Sequence, residues 1–488
     1  MHTPAQEFTR ESKIVLVLLV LAATVMLLNE TTLSIALPFI MDDFNVTAAT
    51  AQWLTTGFIL VLAVVIPTTG YLIERFSTRA IFFAAFALFI AGTLVAAIAP
   101  SFAVLLLGRV LQAAGTALVM PLLMTTVMLV VPPQKLGSVM GLIPVVIALA
   151  PAMGPTISGA ILNVSTWHTI FWSMLPISIV MVLVGAKYMV NVGLGSTKRL
   201  DILSIPLAAL GFGGVVYALS SIDAIVTGHG GLALLAGGIG VVALVLFTLR
   251  QLALVKHNQA LLDVRVFTQP NFALSVAVLM LLFGAFLGIV TVLPIYLQNS
   301  LGLSSLTAGL VAMPAGVVQA VSSPFVGRLF DRHGVRPLAL PGGALAIAAA
   351  GGMAWASHAD LAQPAVVFGA LFGVLALGAA LVFTPMMTGA LSVLPRELSS
   401  HGSATFSTLQ QLGGAAGIAV LVAVLQNFLS KASGASEAQL AVATSDGTSA
   451  ALGTATGICV AATVLVALVK PVKAAGEHIE QGAQPQAH

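Results

Sequence analysis

Fourteen stretches of roughly twenty mostly apolar residues follow one another along this chain, separated by short polar links. They run over 14–37, 50–73, 80–98, 102–129, 137–163, 169–189, 201–219, 230–252, 272–297, 306–330, 336–356, 364–392, 402–428 and 453–472. About twenty such residues span the hydrocarbon core of a bilayer as a helix. Lipid offers the backbone no hydrogen bonds, so helices are the form these runs must take. Of 488 residues, 59% are hydrophobic and 7% charged, against roughly 25% charged in a soluble domain. No soluble fold hides that much apolar surface.

The basic residues test the count. Of 19 lysines and arginines, all but Arg109 and Lys431 fall before the first span or after an even-numbered one. Positive charge collects on the cytoplasmic side, so both termini are expected there and the span number is expected to be even. The apolar run from Ile14 is too long for a removed signal sequence and lacks a small-residue cleavage site. The net charge of +3 is spread over loops, which argues against nucleic acid. The single cysteine, Cys459, excludes an intramolecular disulfide, and His257, His333, His358 and His401 lie in loops or at span ends, where histidines are usually solvated surface, so no metal site is expected. There is no G-x-x-x-x-G-K-[ST] loop to seat a nucleotide phosphate. Residues 1–13 read as a cytoplasmic segment, 429–452 as an external polar loop that could hold a hairpin or helix, and 473–488 as a polar cytoplasmic tail.

Two links look alike. One reads Gly70-Tyr-Leu-Ile-Glu74-Arg75-Phe-Ser-Thr-Arg79 and the other Gly327-Arg-Leu-Phe-Asp331-Arg332-His-Gly-Val-Arg336. Each follows a span that runs toward the terminal side, the second and the tenth. A pattern repeated at matching places suggests two homologous halves, the usual layout of secondary transporters. An acid and arginines beside a helix end can cap carbonyls and form ion pairs across a gap between helices, holding one conformation and releasing another.

These loops resemble the signature loop of the major facilitator superfamily, and further stretches resemble its fourteen-span drug:proton antiporter branch. "LLLGRVLQAAGTALVMP" (105–121) resembles the fourth-span motif with its Arg109. "ALAPAMGPTISGAIL" (148–162) resembles the fifth-span antiporter motif, with Gly154, Pro155 and Gly159 in register. "STWHTIFWSMLPI" (165–177) resembles the sixth-span entry, although His168 stands where an arginine is usual. The first-span phrase "LNETTLSIALP" is similar to the lincomycin-resistance-type subgroup. The resemblance implies an all-α membrane protein of the major facilitator fold, with fourteen transmembrane helices arranged 6 + 2 + 6. Two pseudo-symmetric bundles (14–189 and 272–472) would surround a central cavity, with 201–252 as two inserted helices. It implies a monomer in the cell membrane, driven by a proton gradient and without a cofactor.

Only Glu30 and Arg109 lie well inside spans. A charge at mid-bilayer costs roughly 2.5–3.5 kcal/mol on insertion scales, so such residues are functional hypotheses. Glu30 stands eight residues before Pro38 and Arg109 eight after Ser101. Eight residues are about 12 Å of helix, which puts both at similar depth and makes direct or water-bridged pairing feasible. Glu30 is expected to carry the proton and sense substrate, and Arg109 to tune it. The alternatives are a structural acid bonded to Asn29, Thr31 or Thr32, and a packing strut. Pro151 and Pro155, with Gly154 and Gly159, are expected to bend the fifth helix. A polyspecific pocket needs apolar and aromatic walls with few polar points. The candidates are Met26, Trp53, Gln112, Phe283, Phe286, Gln319, Phe383, Met386 and Gln410, with Gln112 sharing a helix face with Arg109. The function expected is proton-coupled export of amphiphilic drugs. The alternatives are a dedicated exporter of a metabolite, peptide or lipid, and a non-transporting membrane scaffold or sensor.

Overall fold

A computed structural model describes residues 9–192, 201–226, 228–256, 259–359, 361–432 and 436–470. Fourteen long helices follow the order of the apolar runs. They are α1 (Arg10–Phe44), α2 (Trp53–Arg75), α3 (Thr78–Ala97), α4 (Phe102–Val130), α5 (Leu142–Leu162), α6 (His168–Tyr188) and α7 (Ser204–Ser220). The second seven are α8 (Gly231–Val255), α9 (Pro270–Asn299), α10 (Ser305–His333), α11 (Arg336–Ala356), α12 (Pro364–Ser392), α13 (Ser399–Lys431) and α14 (Glu437–Leu468). No strand occurs among the described residues.

Against the expected fourteen, twelve of these helices are long and apolar enough to cross a membrane among the described residues; α5 is as long as α6 and α11, and several of its side chains lie outside the described residues. The seventeen residues of α7 rise only about 25 Å, short of a hydrocarbon core about 30 Å thick. The fifth run is broken at Gly141, so that a short helix, Leu136–Met140, precedes α5.

The external loop expected over 429–452 is a further correction. α13 continues to Lys431 and α14 begins at Glu437, so the connection is only a few residues long. Ser436 and Gln439 form a reciprocal capping box that starts α14. Its polar first turns are satisfied by α11 and its end. Ser445 donates to the Ser357 carbonyl at 2.7 Å, Ser449 to that of Ala354 at 3.0 Å, and Asp446 pairs with His358 at 3.0 Å. An Ala- and Ser-rich polar stretch reads as a loop until its partners are known. Residues 473–488 and 1–8 lie outside the described residues.

Within the first half, α3 packs on α4 and α1 on α5. Within the second, α9 packs on α13 and α14, and α12 on α10 and α11. The inserted pair, α7 and α8, packs closely on itself where Gly214 and Gly240 meet backbone to backbone. It leans on α2 and α13 through Ala208, Phe212 and Val216. Most of α8 stays exposed, including Leu234, Leu235, Val241, Val242 and Val245, as a lipid-facing helix should.

Asp201 joins the inserted helices. It accepts from the Ser204 backbone N–H at 3.0 Å and takes Arg250 bidentately at 2.7 and 2.6 Å. The hydrogen bonds from Arg250 hold its carboxyl down at about 2. A depressed carboxylate contributes stability above its unfolded pKa and loses it as pH falls through the folded one. Asp201→Asn is therefore expected to cost about 1 kcal/mol at neutral pH. Thermal unfolding should show that difference shrinking between about pH 4 and pH 2.

Candidate functional site

Three layers of the site stack from the interior to the face carrying the N-terminus. The innermost is built on α1, α2, α3 and α4. Arg109 is 1% exposed, and in lipid such a cation needs every donor engaged. Its Nη1 donates to Gln112 Oε1 at 3.0 Å, one turn along α4. Gln112 in turn donates to Thr93 Oγ1 at 2.9 Å, and Thr93 to the Phe89 carbonyl at 2.6 Å. The guanidinium lies 4.2 Å from the centre of the Phe58 ring, a cation–π contact suited to a desolvated charge. Arg109 is thus fixed on one side by a buried polar chain and on another by an aromatic face.

Glu30 is half-buried on α1. Its charge and that of Arg109 act on one another, yet among the described residues the two form no direct ion pair. The nearby hydroxyls are occupied elsewhere: Thr31 donates to the Leu28 carbonyl at 3.1 Å and Thr32 to that of Asn29 at 3.1 Å. The structural alternative, a carboxylate bonded to its sequence neighbours, has no support from these contacts. Asn29 is 1% exposed, and neither atom of its amide has a partner among the described residues. A buried amide left unpaired costs about 1–3 kcal/mol. The sequence signal for it was present, as a polar residue beside the one interior acid.

The second layer is the expected pocket. The structure brings Phe283, Gln319, Phe383 and Gln410 together, with Phe283 and Phe383 edge to face at 5.9 Å. They line a cavity between the halves with Ile143, Pro144, Leu279, Met387 and Phe406, none of which was expected in the pocket. The cavity is about 20 Å³, enough for about one water molecule. The other candidates fall elsewhere. Met26 and Met386 are fully buried in the core, and Gln112 is spent on Arg109 and Thr93. Phe286 stacks on Phe372 at 5.8 Å, and exposed Trp53 stacks on Tyr217 of α7 at 5.8 Å. Which face of each helix meets the seam is not in the sequence.

The third layer holds the repeated loops, and their residues divide by role. The two acids reach across the halves. Asp331, at the end of α10, accepts from the backbone N–H of Gly137 at 2.7 Å and of Ser138 at 2.9 Å, and from the Ser138 hydroxyl. It thereby caps the start of Leu136–Met140. Glu74, at the end of α2, accepts from Ser400 Oγ at 3.1 Å and pairs with His401 Nε2 at 3.1 Å in the first turn of α13. Asp263 and Arg265 lie close by and act on this pair. Burial works against the Asp263 charge, but the hydrogen bonds from Arg265 win and lower its pKa.

The leading glycines make this approach possible. A Cβ on Gly327 would stand 2.1 Å from the Gly137 carbonyl oxygen, and one on Gly70 would stand 2.9 Å from His401 Nδ1. The last arginines act within their own halves. Arg79 donates to the Ala186 and Met189 carbonyls at the end of α6, and Arg336 to the Ala467 and Val469 carbonyls at the end of α14. Arg75 and Arg332 are exposed.

On α5, Gly154 presses on Thr31, where a Cβ would come within 2.1 Å of the hydroxyl oxygen. Gly159 faces open space. The side chains of Pro151 and Pro155 lie outside the described residues. Among the described residues no group of three or more His, Cys, Asp or Glu side chains could hold a metal.

The architecture and these loops identify the class: the chain belongs to the Major Facilitator Superfamily, whose sequence profile matches residues 19–199 and 202–418. Among its relatives is the "Lincomycin resistance protein LmrB" of Listeria monocytogenes, 42% identical over 83% of this chain and 84% of that one. Its Bacillus subtilis namesake is 37% identical over 84% and 85%. A "Multidrug resistance protein B homolog" of Mycobacterium tuberculosis is 29% identical over 83% and 75%. The same fold is seen in the proton:xylose symporter XylE, with TM-score 0.64 at 16% identity over 95% of this chain and 97% of that one.

Two substitutions test the layers. Asp331→Asn weakens a charge-assisted cap by about 2 kcal/mol, so spin labels across the α10 and Leu136–Met140 ends should show the terminal face populating an open state. Gly154→Leu should separate α1 from α5 and abolish substrate transport while the protein still reaches the membrane, as transport and surface expression measured side by side will show.

Proposed function

We propose that this transporter is a proton-coupled antiporter. It exports amphiphilic drugs, cationic or neutral, by alternating access, as a monomer in the plasma membrane with both termini in the cytoplasm. The observation that carries the reading is Glu30, an interior carboxylate that feels Arg109 without being locked to it in an ion pair. An ion pair favours the charged carboxylate and burial away from any cation favours the neutral acid, so a carboxyl near a cation but unpaired is placed to change state. The relatives named for lincomycin and multidrug resistance support the substrate class.

In this reading Glu30 takes a proton when the cavity faces outward and releases its hold on a cationic substrate. It loses the proton when the cavity faces inward and accepts the next. Arg109 keeps its position throughout, held by Gln112 and Phe58. Protonation reaches the seam along a short mechanical path. Thr31, next to Glu30, bears on Gly154 of α5, and the segment before α5 carries Gly137 and Ser138 into the grip of Asp331. With the cavity at about 20 Å³, the terminal face must part before Phe283, Gln319, Phe383 and Gln410 can surround a drug.

The energetics are restrictive. One pH unit is worth about 1.4 kcal/mol per proton, a ten-fold ratio. Exchange of one proton for a monovalent cation moves no net charge, so ΔpH alone sets that ratio. A neutral substrate makes the cycle electrogenic, worth roughly 2.3 kcal/mol per 100 mV. In proteoliposomes with an imposed ΔpH, the wild type should sustain about a ten-fold ratio of a monovalent cationic drug per pH unit, indifferent to potential. Glu30→Gln, a mimic of the protonated carboxyl, should lose uphill transport and bind a cationic drug more weakly, while a neutral drug still binds. Uphill transport by Glu30→Gln equal to wild type would overturn the reading.

A further inference from the structure

Besides the central cavity, the first half carries an apolar groove of about 370 Å³. Leu16, Val17, Val20 and Leu21 of α1 form one wall, and Leu123 and Val127 of α4 another. Val139 of the short helix, with Leu142 and Ile143 of α5, closes the third. Its lining is almost wholly apolar, and its one charged residue is Lys13, exposed at the terminal end of α1.

Three features together suggest the occupant. The walls lie within the first three to four turns of α1 from Arg10 and the last two of α4, so the recess lies in one leaflet only, at the face carrying the N-terminus. The mouth is cationic. Lys13 is joined by exposed Arg10 three residues earlier and by exposed Lys135 four residues before Val139, with Glu11 the one carboxylate beside them in sequence among the described residues. The volume suits an alkyl chain, and a lipid-facing apolar groove beside a bilayer cannot hold ordered water at low cost.

We propose that this groove is a site for an anionic phospholipid of that leaflet, with one acyl chain between α1, α4 and α5 and the phosphate at Lys13. A cation near an anionic headgroup contributes about 1 kcal/mol, whereas a cationic drug would meet repulsion there. The assignment does not rest on the drug-export reading. It carries one consequence for it: Ile143 lines both this groove and the central cavity, so the chain occupies one side of the wall that must move when the cavity opens.

Brominated acyl chains quench a tryptophan they touch, and the groove has none. Its four native relatives, Trp53, Trp167, Trp172 and Trp355, lie toward the opposite ends of their helices. The probe is Val17→Trp in vesicles containing dibrominated phosphatidylglycerol or dibrominated phosphatidylcholine, with Val180→Trp on the exposed side of α6 as the control. The added indole in the groove should be quenched with about a five-fold preference for phosphatidylglycerol. That preference should fall toward unity with Lys13→Gln and be absent at the control. Should Val17→Trp fail to insert, Leu21→Trp, one turn deeper, reports on the same chain. Equal quenching by the two lipids, a preference unchanged by Lys13→Gln, or the same preference at the control would overturn the site. So would displacement of the lipid signal by a transported drug, which would make the groove a drug vestibule instead.

Discussion

A permanent cation buried in a medium that cannot solvate it is the constraint around which the first half is built. Arg109 answers it with Gln112, Thr93 and the Phe58 ring. That arrangement commits α2, α3 and α4 to one relative position, since each supplies a partner. What it leaves out is as telling. The strongest available partner, Glu30, acts on Arg109 through space and is not joined to it in an ion pair among the described residues. A group held that way can change its protonation without dismantling the helix packing around it, because the scaffold does not depend on its charge.

The repeated loop solves a different problem at the face carrying the N-terminus. Its acid, glycine and final arginine serve distinct ends. Asp331 and Glu74 reach into the opposite half, Gly327 and Gly70 let backbone meet backbone or imidazole there, and Arg336 and Arg79 close carbonyls inside their own half. A charge-assisted cap on a helix start is stronger than a bond between neutral groups, and here it joins the two halves. The two copies are not identical. Asp331 meets backbone amides and a serine hydroxyl, while Glu74 meets a histidine and a serine.

Much of this was legible in residues alone, for physical reasons. A charge inside an apolar run has no bland explanation in lipid, so Glu30 and Arg109 stood out at once. The i, i+3 spacing of Arg109 and Gln112 sufficed to place them in contact, though it pointed to a pocket and the structure shows a strut. The pocket candidates divided because apolar and aromatic side chains look alike in sequence whether they face lipid, core or seam. Phe283 and Phe383 meet at the seam, while Phe286 and Phe372 stack a few residues away. The polar start of α14 was read as a loop because its hydrogen-bond partners, Ser357 and Ala354, are some ninety residues distant.

The sequence by itself determined the helical membrane architecture, the alternation of its basic links and the two interior charges. Each of these follows from local composition acting against a solvent that cannot hydrogen-bond or solvate ions. Only the tertiary structure decided that Arg109 is anchored by Gln112 and Phe58, that the acids of the repeated loops cross between halves while their final arginines act within their own, and that Phe283 and Phe383 meet at the seam. Those outcomes depend on which helix faces are brought together, and that information resides in contacts between residues far apart in the chain.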